Sequence, residues 1–169
     1  KVMLFIGVDL GTSATKLLLV NEKGEILNTV SKEYPLSFPH PGWSEQAPEE
    51  WMKACVEGIP ELLTGFDAGE VAALSVAGQM HGLVILDETD QVIRPAILWN
   101  DGRTGKETDY LNNVIGKDKL SSYTANIAFA GFTAPKILWV KENEPENFAK
   151  IAKIMLPKDY IAYKMIGVH

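Results

Sequence analysis

The sequence predicts an α/β domain in which a mixed sheet is flanked by helices. Three apolar runs separated by turn residues occupy the first 34 positions, and helical periodicity then alternates with short apolar runs as far as residue 166. The 169 residues are 46% hydrophobic, which is enough to bury one sizeable core. We therefore expect a single domain in which a three-stranded antiparallel meander is followed by parallel strands.

The meander is predicted from two turn signals. Residues 4–10 and 16–20 are apolar runs on either side of Gly11-Thr12-Ser13, and they predict a β-hairpin. A second turn signal at residues 21–24 leads into residues 25–34, whose alternation predicts the third strand.

The other elements are predicted from the same kinds of signal. Residues 35–48 contain four prolines and predict a surface loop, and a helix then begins at Pro48, with a kink or an end near Gly58 and Pro60. Residues 71–77 predict a strand that is covered on both faces, because their apolar run does not alternate. Residues 83–86 and 92–98 predict a hairpin, and residues 104–115 predict a helix that ends at Gly116. A helix over residues 135–141 with Thr133 as N-cap and a short helix after Pro145 follow. The last elements are a strand over residues 153–156 and a helix over residues 159–166 that ends at Gly167.

Composition excludes several classes of partner. The chain has 16 Lys+Arg and 22 Asp+Glu, so its net charge of −6 argues against nucleic acid or an anionic membrane surface as the main partner. The single cysteine, Cys55, is expected to be a small apolar residue on a helix face in a reducing compartment. Because no apolar run approaches the ~20 residues of a membrane span, we expect a cytoplasmic protein. A start at Lys1 and a stop just after a helix end lead us to expect a piece of a longer protein.

The clearest chemical signal is the turn between the first two predicted strands. Gly11 removes a Cβ, so the N–H groups of Gly11, Thr12 and Ser13 can converge on a phosphate, with the ammonium of Lys16 as a further donor. Asp9 follows a buried run and can hold Mg²⁺ through water. The spacing is not that of a Walker loop, so an ordinary hairpin, with Asp9 bonding the turn amides and Lys16 solvated, remains an alternative.

A second candidate segment, Gly78-Gln79-Met80-His81-Gly82, follows the predicted strand of residues 71–77. Ligand contacts gather at such strand ends in α/β folds. An imidazole can bond a hydroxyl, and a thioether can cover a carbon face, so Met80 and His81 suit a sugar. A purely structural His81 is the alternative.

A third candidate segment places an aromatic ring, an amide, a carboxylate and a guanidinium within five residues. Trp99, Asn100, Asp101 and Arg103 can together stack on a sugar and bond its hydroxyls. The alternative is a helix entry, in which Asp101 caps the helix and Arg103 pairs with Glu107.

These segments resemble a known family. Residues 6–13 resemble the first phosphate loop of the actin and hexokinase superfamily of ATP-binding folds. More narrowly, the chain resembles the FGGY carbohydrate kinases, and most closely the members that phosphorylate xylulose. The supporting segments are residues 39–46 (PHPGWSEQ), 78–82 (GQMHG), 97–103 (ILWNDGR), 131–136 (GFTAPK) and 156–160 (LPKDY).

The resemblance implies an actin/hexokinase-like (ribonuclease H-like) fold and a reaction. The implied reaction is transfer of the γ-phosphoryl of MgATP to the C5 hydroxyl of D-xylulose. The implied partners are ATP and a small sugar, and a homodimer is compatible with the resemblance. Family members are much longer, so residues 1–169 are expected to be most of the N-terminal domain, inactive alone, with the general base outside this chain. The implied site residues are Asp9 for catalysis and Mg²⁺, Gly11, Thr12, Ser13 and Lys16 for phosphate, and Gln79, Met80, His81, Trp99, Asn100 and Asp101 for the sugar.

Three alternatives to this function stay open. They are an FGGY kinase for another ketose or polyol (gluconate, ribulose or glycerol), a non-catalytic actin-like nucleotide-binding module, and a sugar-binding domain without catalysis. Glycerol kinases carry Arg-Glu where Met80 and His81 stand, and gluconate kinases usually carry Ser where Gly82 stands. These differences favour a ketopentose.

Overall fold

A computed structural model describes residues 3–167 and divides the chain into two compact units, whereas the length predicted one domain. The first unit is formed by Lys1–Leu36, Ala47–Gln79 and Pro157–His169, and the second by Ser37–Gln46 and Met80–Leu156. The second unit is thus made of two insertions into the chain of the first. The predicted domain limits at residues 1 and 169 lie outside the described residues.

The regular elements follow in chain order. The strands are β1 (Leu4–Leu10), β2 (Ala14–Asn21), β3 (Ile26–Glu33), β4 (Glu45–Gln46), β5 (Val71–Gly78), β6 (Val84–Leu86), β7 (Ala96–Ile97) and β8 (Lys153–Met155). The helices are α1 (Pro48–Leu62), α2 (Gly105–Asp109), α3 (Lys117–Thr124), α4 (Thr133–Asn143), α5 (Pro145–Phe148) and α6 (Pro157–Ile166), with a 3-10 turn at Ala68–Glu70 and a π-helical segment at Tyr110–Gly116.

The first unit contains a four-stranded sheet in the order β3-β2-β1-β5. The pairs β1–β2 and β2–β3 are antiparallel and β5 runs parallel to β1, so the predicted meander with a following parallel strand is confirmed. In β1 the buried side chains alternate, because every second residue faces the core. This alternation places Leu10 in the core and leaves Asp9 exposed.

Helix α1 packs on this sheet and runs beyond its predicted end. It continues through Gly58 and Pro60 to Leu62. A Cβ at Gly58 would overlap the side chain of Leu17 in β2, so this glycine allows the helix to approach the sheet closely and does not end the helix. Cys55 is fully buried in α1, and burial raises the pKa of its thiol to about 11, as suits an apolar packing residue.

Strand β5 differs from its prediction. Its residues 72–75 are exposed, although the apolar run predicted cover on both faces. Among the described residues, β5 is also an edge strand of the four-stranded sheet. At its end, a Cβ on Gly78 would lie 2.7 Å from the carbonyl oxygen of Leu10, so β5 closes tightly on the end of β1.

The second unit has two short antiparallel pairs, β4 with β7 and β6 with β8. The predicted hairpin is confirmed, since a bridge joins Leu86 to Val92 and the N–H of Asp87 donates to Gln91 O. Strand β4 lies within residues 35–48, which were predicted to be loop only. The core of this unit consists of Leu83, Ile85, Ile97, Trp139 and Val140.

In the second unit one predicted helix boundary is confirmed and one differs. Gly116 ends the first helical run as predicted, because its backbone at φ 96° and ψ 137° is not helical and it is the N-cap of α3. Helix α4 begins at Thr133 with Phe132 as its N-cap, so Thr133 is not the N-cap. The last helix does end as predicted, with Gly167 at φ 67°. Within residues 3–167, the structure contains no helix long and apolar enough to cross a membrane.

Candidate functional site

The turn between β1 and β2 is tight and uses the N–H of Gly11 internally. This N–H donates to Ala14 O at 3.0 Å and to Asp9 O at 3.2 Å. A Cβ at Gly11 would lie 2.8 Å from Ala14 O, so no side chain fits there. The expectation that the Gly11 amide binds phosphate is therefore not supported, because the turn itself occupies that donor.

The carbonyl of Gly11 is held by two side chains from distant parts of the first unit. The hydroxyl of Tyr34 donates to it at 2.5 Å and Nε2 of Gln79 at 3.3 Å. Because a trans peptide is planar, the N–H of Thr12 points away from a carbonyl fixed in this way. Burial raises the pKa of Tyr34 to about 12, so its hydroxyl remains a donor at neutral pH.

Asp9 and Lys16 face each other as cross-strand partners, and both are exposed. Within residues 3–167, no group of three or more His, Cys, Asp or Glu side chains could hold a metal ion. A single carboxylate nevertheless fits Mg²⁺, which keeps several of its waters and takes its other ligands from substrate phosphates. Asp9 therefore suits Mg²⁺ held mainly by a nucleotide and water.

In the second unit, His81 sits at the centre of a three-residue turn. The N–H of Gly82 donates to Met80 O at 2.8 Å, and the backbone of His81 has φ 63°. Left-handed backbone is uncommon for residues other than glycine, and it is often found at functional sites. The imidazole stacks on Phe132 with 4.2 Å between centroids, and the hydroxyl of Thr133 donates to His81 O at 3.1 Å.

The segment Trp99 to Asp101 contains both exposed and buried side chains. Trp99 is 47% exposed and Asn100 is also exposed, as is Met80 at 59%. Large apolar side chains at the surface are available to a ligand. Asp101 differs, because its side chain is fully buried and accepts hydrogen bonds from Ser44 N at 2.6 Å and from the Arg103 guanidinium.

Asp101 therefore belongs to a buried ion pair, and its predicted contact with a sugar stays a prediction. Arg103 is equally enclosed. Its guanidinium also bonds Glu45 at 2.8 Å and lies 3.7 Å from the ring centroid of Trp43 and 4.8 Å from that of Trp139. The alternative pairing of Arg103 with Glu107 is wrong, since the observed partners are Asp101 and Glu45.

Sequence reasoning missed two residues that shape these sites. Tyr34 lies 23 positions from Gly11, and no local pattern joins an aromatic residue after a strand to a distant turn. Phe132 belongs to the segment of residues 131–136, which entered only as a resemblance. Its aromatic ring beside a helix start was the available signal.

The mixed sheet and its flanking helices define an α/β protein, and residues 4–169 match the profile described as "FGGY family of carbohydrate kinases, N-terminal domain". The chain belongs to this family. Its actin/hexokinase-like fold class is thereby confirmed.

Individual relatives agree with this assignment. The chain is 45% identical over 164 residues to the xylulose kinase of Escherichia coli strain K12, covering 97% of this chain and 34% of that protein. A crystal structure described as a "xyloylose kinase" from Brucella ovis has a TM-score of 0.88 at 43% identity, over 95% of this chain and 34% of that one. A gluconate kinase from Lactobacillus acidophilus has a TM-score of 0.90 at 30% identity, over 97% and 33%. The chain thus spans about a third of the length of the curated relatives it matches.

The burial of Asp101 generates a prediction. Asp101→Asn should lower the free energy of unfolding by about 3 kcal/mol, because it removes one charge of a buried pair and leaves Arg103 undercompensated. Denaturant unfolding measures the change, and Asp109→Asn at an exposed aspartate of α2 is the control. An Asp101→Asn protein that unfolds like wild type but binds sugar more weakly would contradict the structural role.

Proposed function

We propose that the protein of which this chain is part transfers the γ-phosphoryl of MgATP to the C5 hydroxyl of D-xylulose. The observation that carries the proposal is the 45% identity to a protein named xylulose kinase over 97% of this chain. The chain supplies most of the N-terminal domain in this proposal, and the general base comes from elsewhere in the protein. A homodimer and a cytoplasmic location stay predictions.

The turn between β1 and β2 supplies the phosphate side of the proposed reaction. Phosphoryl transfer depends on positioning and on stabilising charge more than on covalent chemistry from the protein. Bound Mg²⁺ would neutralise charge on the phosphates, and Asp9 would orient that ion or its water. The amides of Thr12 and Ser13 would approach the transferring group, with Lys16 adding positive charge.

The sugar side of the proposal uses the exposed groups of the second unit. His81 would bond a hydroxyl, while Met80 and Trp99 would cover carbon faces and Asn100 would add an amide. Gln79 belongs to the first unit, where its Nε2 donates to Gly11 O at 3.3 Å, and its predicted contact with the substrate stays a prediction.

A gluconate kinase is the second candidate, favoured by the TM-score of 0.90 to such an enzyme. The test is a substrate panel of D-xylulose, D-ribulose, gluconate and glycerol with the purified full-length protein and MgATP. The proposal expects kcat/KM to be highest for D-xylulose. A preference for gluconate would overturn the substrate, and ATP binding without turnover of any sugar would favour the non-catalytic actin-like module.

The first mutational prediction concerns Asp9. Asp9→Asn in the full-length protein should lower kcat by about 10²–10³-fold and change the sugar KM far less, because it removes a charge-stabilising group while the exposed side chain contributes little to packing. Steady-state kinetics and thermal unfolding measure the two effects, with Asp109→Asn as control. Near-normal kcat combined with a large loss of stability would make Asp9 a turn-stabilising residue.

The second mutational prediction concerns His81. His81→Ala should cost about 1–3 kcal/mol in kcat/KM for D-xylulose, because a sugar hydroxyl loses its partner, and should leave the KM for ATP almost unchanged. His40→Ala, at an exposed histidine, is the matched control. If the loss affects ATP and sugar equally and follows a lowered melting temperature, His81 acts through packing alone.

A further inference from the structure

Lys136, in the first turns of α4, is a fully buried cation whose function is not explained by the site described above. Its residue exposure is 0%, and its ammonium donates to three consecutive carbonyls. These are Ala130 O at 3.4 Å, Phe132 O at 3.1 Å and, between them, Gly131 O. An ammonium has three protons, so the number of donors equals the number of carbonyls.

Each residue of the Ala130–Phe132 segment also meets a different part of the second unit. Ala130 O accepts a hydrogen bond from the hydroxyl of Thr104 at 3.0 Å. A Cβ on Gly131 would lie 2.8 Å from the carbonyl oxygen of Trp99, so the two backbones are in close approach. Phe132 stacks on the imidazole of His81 at 4.2 Å. One ammonium thus fixes a segment in contact with two of the proposed sugar residues.

We propose that Lys136 is a positioning residue for the sugar site, which holds the Ala130–Phe132 segment and thereby sets the ring of His81 and the backbone of Trp99. The role is indirect, since Lys136 is enclosed and reaches the two residues only through that segment. The effect of Lys136 on sugar binding rests on the proposed function. Its effect on the position of the His81 ring rests on the contacts alone.

The energetics favour positioning over stability as the reason for this lysine. Burial lowers the pKa of Lys136 to about 8, while Asp101 raises it and Arg103 lowers it further. Charging the group in the folded protein is therefore unfavourable relative to water, and an apolar residue would avoid that cost. The charged form is nevertheless the only one with a donor for every carbonyl of the segment.

A pH dependence follows from this count. Below pH 8 the ammonium serves all three carbonyls; as the pH rises past that pKa, the neutral amine has two donors and one carbonyl loses its partner. The segment should then loosen. The KM for the sugar in the wild-type protein should rise above pH 8, with a smaller effect on the KM for ATP.

The kinetic test uses the full-length protein with Lys136→Met, Lys136→Gln as a polar variant of similar length, and Lys141→Met as the control on the exposed side of the same helix. Lys136→Met should raise the sugar KM by about 10–100-fold at neutral pH, change the KM for ATP less than about twofold, and remove the rise at alkaline pH. A sugar KM like that of wild type, or equal losses for both substrates, would overturn the proposal.

A second readout does not depend on activity, and its first arm uses protein with Lys136 unchanged. In protein labelled at histidine ¹³Cε1, the NMR signal of His81, assigned by its loss in His81→Gln, reports the stacked ring of Phe132. This signal should shift with an apparent pKa of about 8 in wild type, and should be displaced at neutral pH in Lys136→Met but not in Lys141→Met. If the His81 signal does not move, Lys136 does not position His81, whatever the substrate panel shows. If the signal moves but the protein has no sugar kinase activity, the proposed function is refuted and the positioning of His81 by Lys136 stands.

Discussion

The second unit depends on the enclosure of one guanidinium. Arg103 has a side-chain exposure of 1% and needs both charge and stacking partners, because an uncompensated buried cation would cost several kcal/mol. Asp101 and Glu45 supply the charge, and the indoles of Trp43 and Trp139 supply the two faces. These partners come from the chain before β4, from β4 itself, from the turn after β7 and from α4. The requirement for one satisfied cation therefore joins three separate parts of the chain, namely the segment that contains Trp43 and Glu45, the turn at Asp101 and α4.

Sequence patterns predicted the elements better than their ends. Two apolar runs, an alternating third segment and the turn signals between them predicted the three strands and their antiparallel pairing, because strands joined by short turns pair with their neighbours in the chain. Gly58 was misleading, because packing and not helix termination is the reason for it: it allows α1 to approach Leu17. Gly116 does end a helical run, as its non-helical backbone before α3 shows. The exposed residues of β5 could not be predicted either, since an apolar run does not indicate which elements pack on the two faces of its strand.

The same limit applies to the candidate sites. The turn at Gly11 and the turn at His81 are local in sequence and were found, whereas the side chains that support them were not. Tyr34 and Lys136 bond backbone carbonyls, and because every residue has a carbonyl, the sequence does not indicate which of them a side chain will bond. Asp101 is the opposite case, because its sequence neighbours suggested a ligand contact while the structure shows a buried ion pair, and a carboxylate among aromatic and polar neighbours suits either role. Only the burial of its side chain distinguishes the two.

The backbone of His81 also limits how this site can change during evolution or design. At φ 63° the Cβ of any L residue is crowded, and branching at Cβ makes this worse, so valine, isoleucine and threonine are disfavoured there whatever their chemistry. Asparagine, aspartate, histidine and glycine tolerate the conformation best. Chain geometry thus favours these four residues at position 81 before any ligand is considered. Libraries that seek a new specificity have wider freedom at Met80, whose backbone has no such restriction.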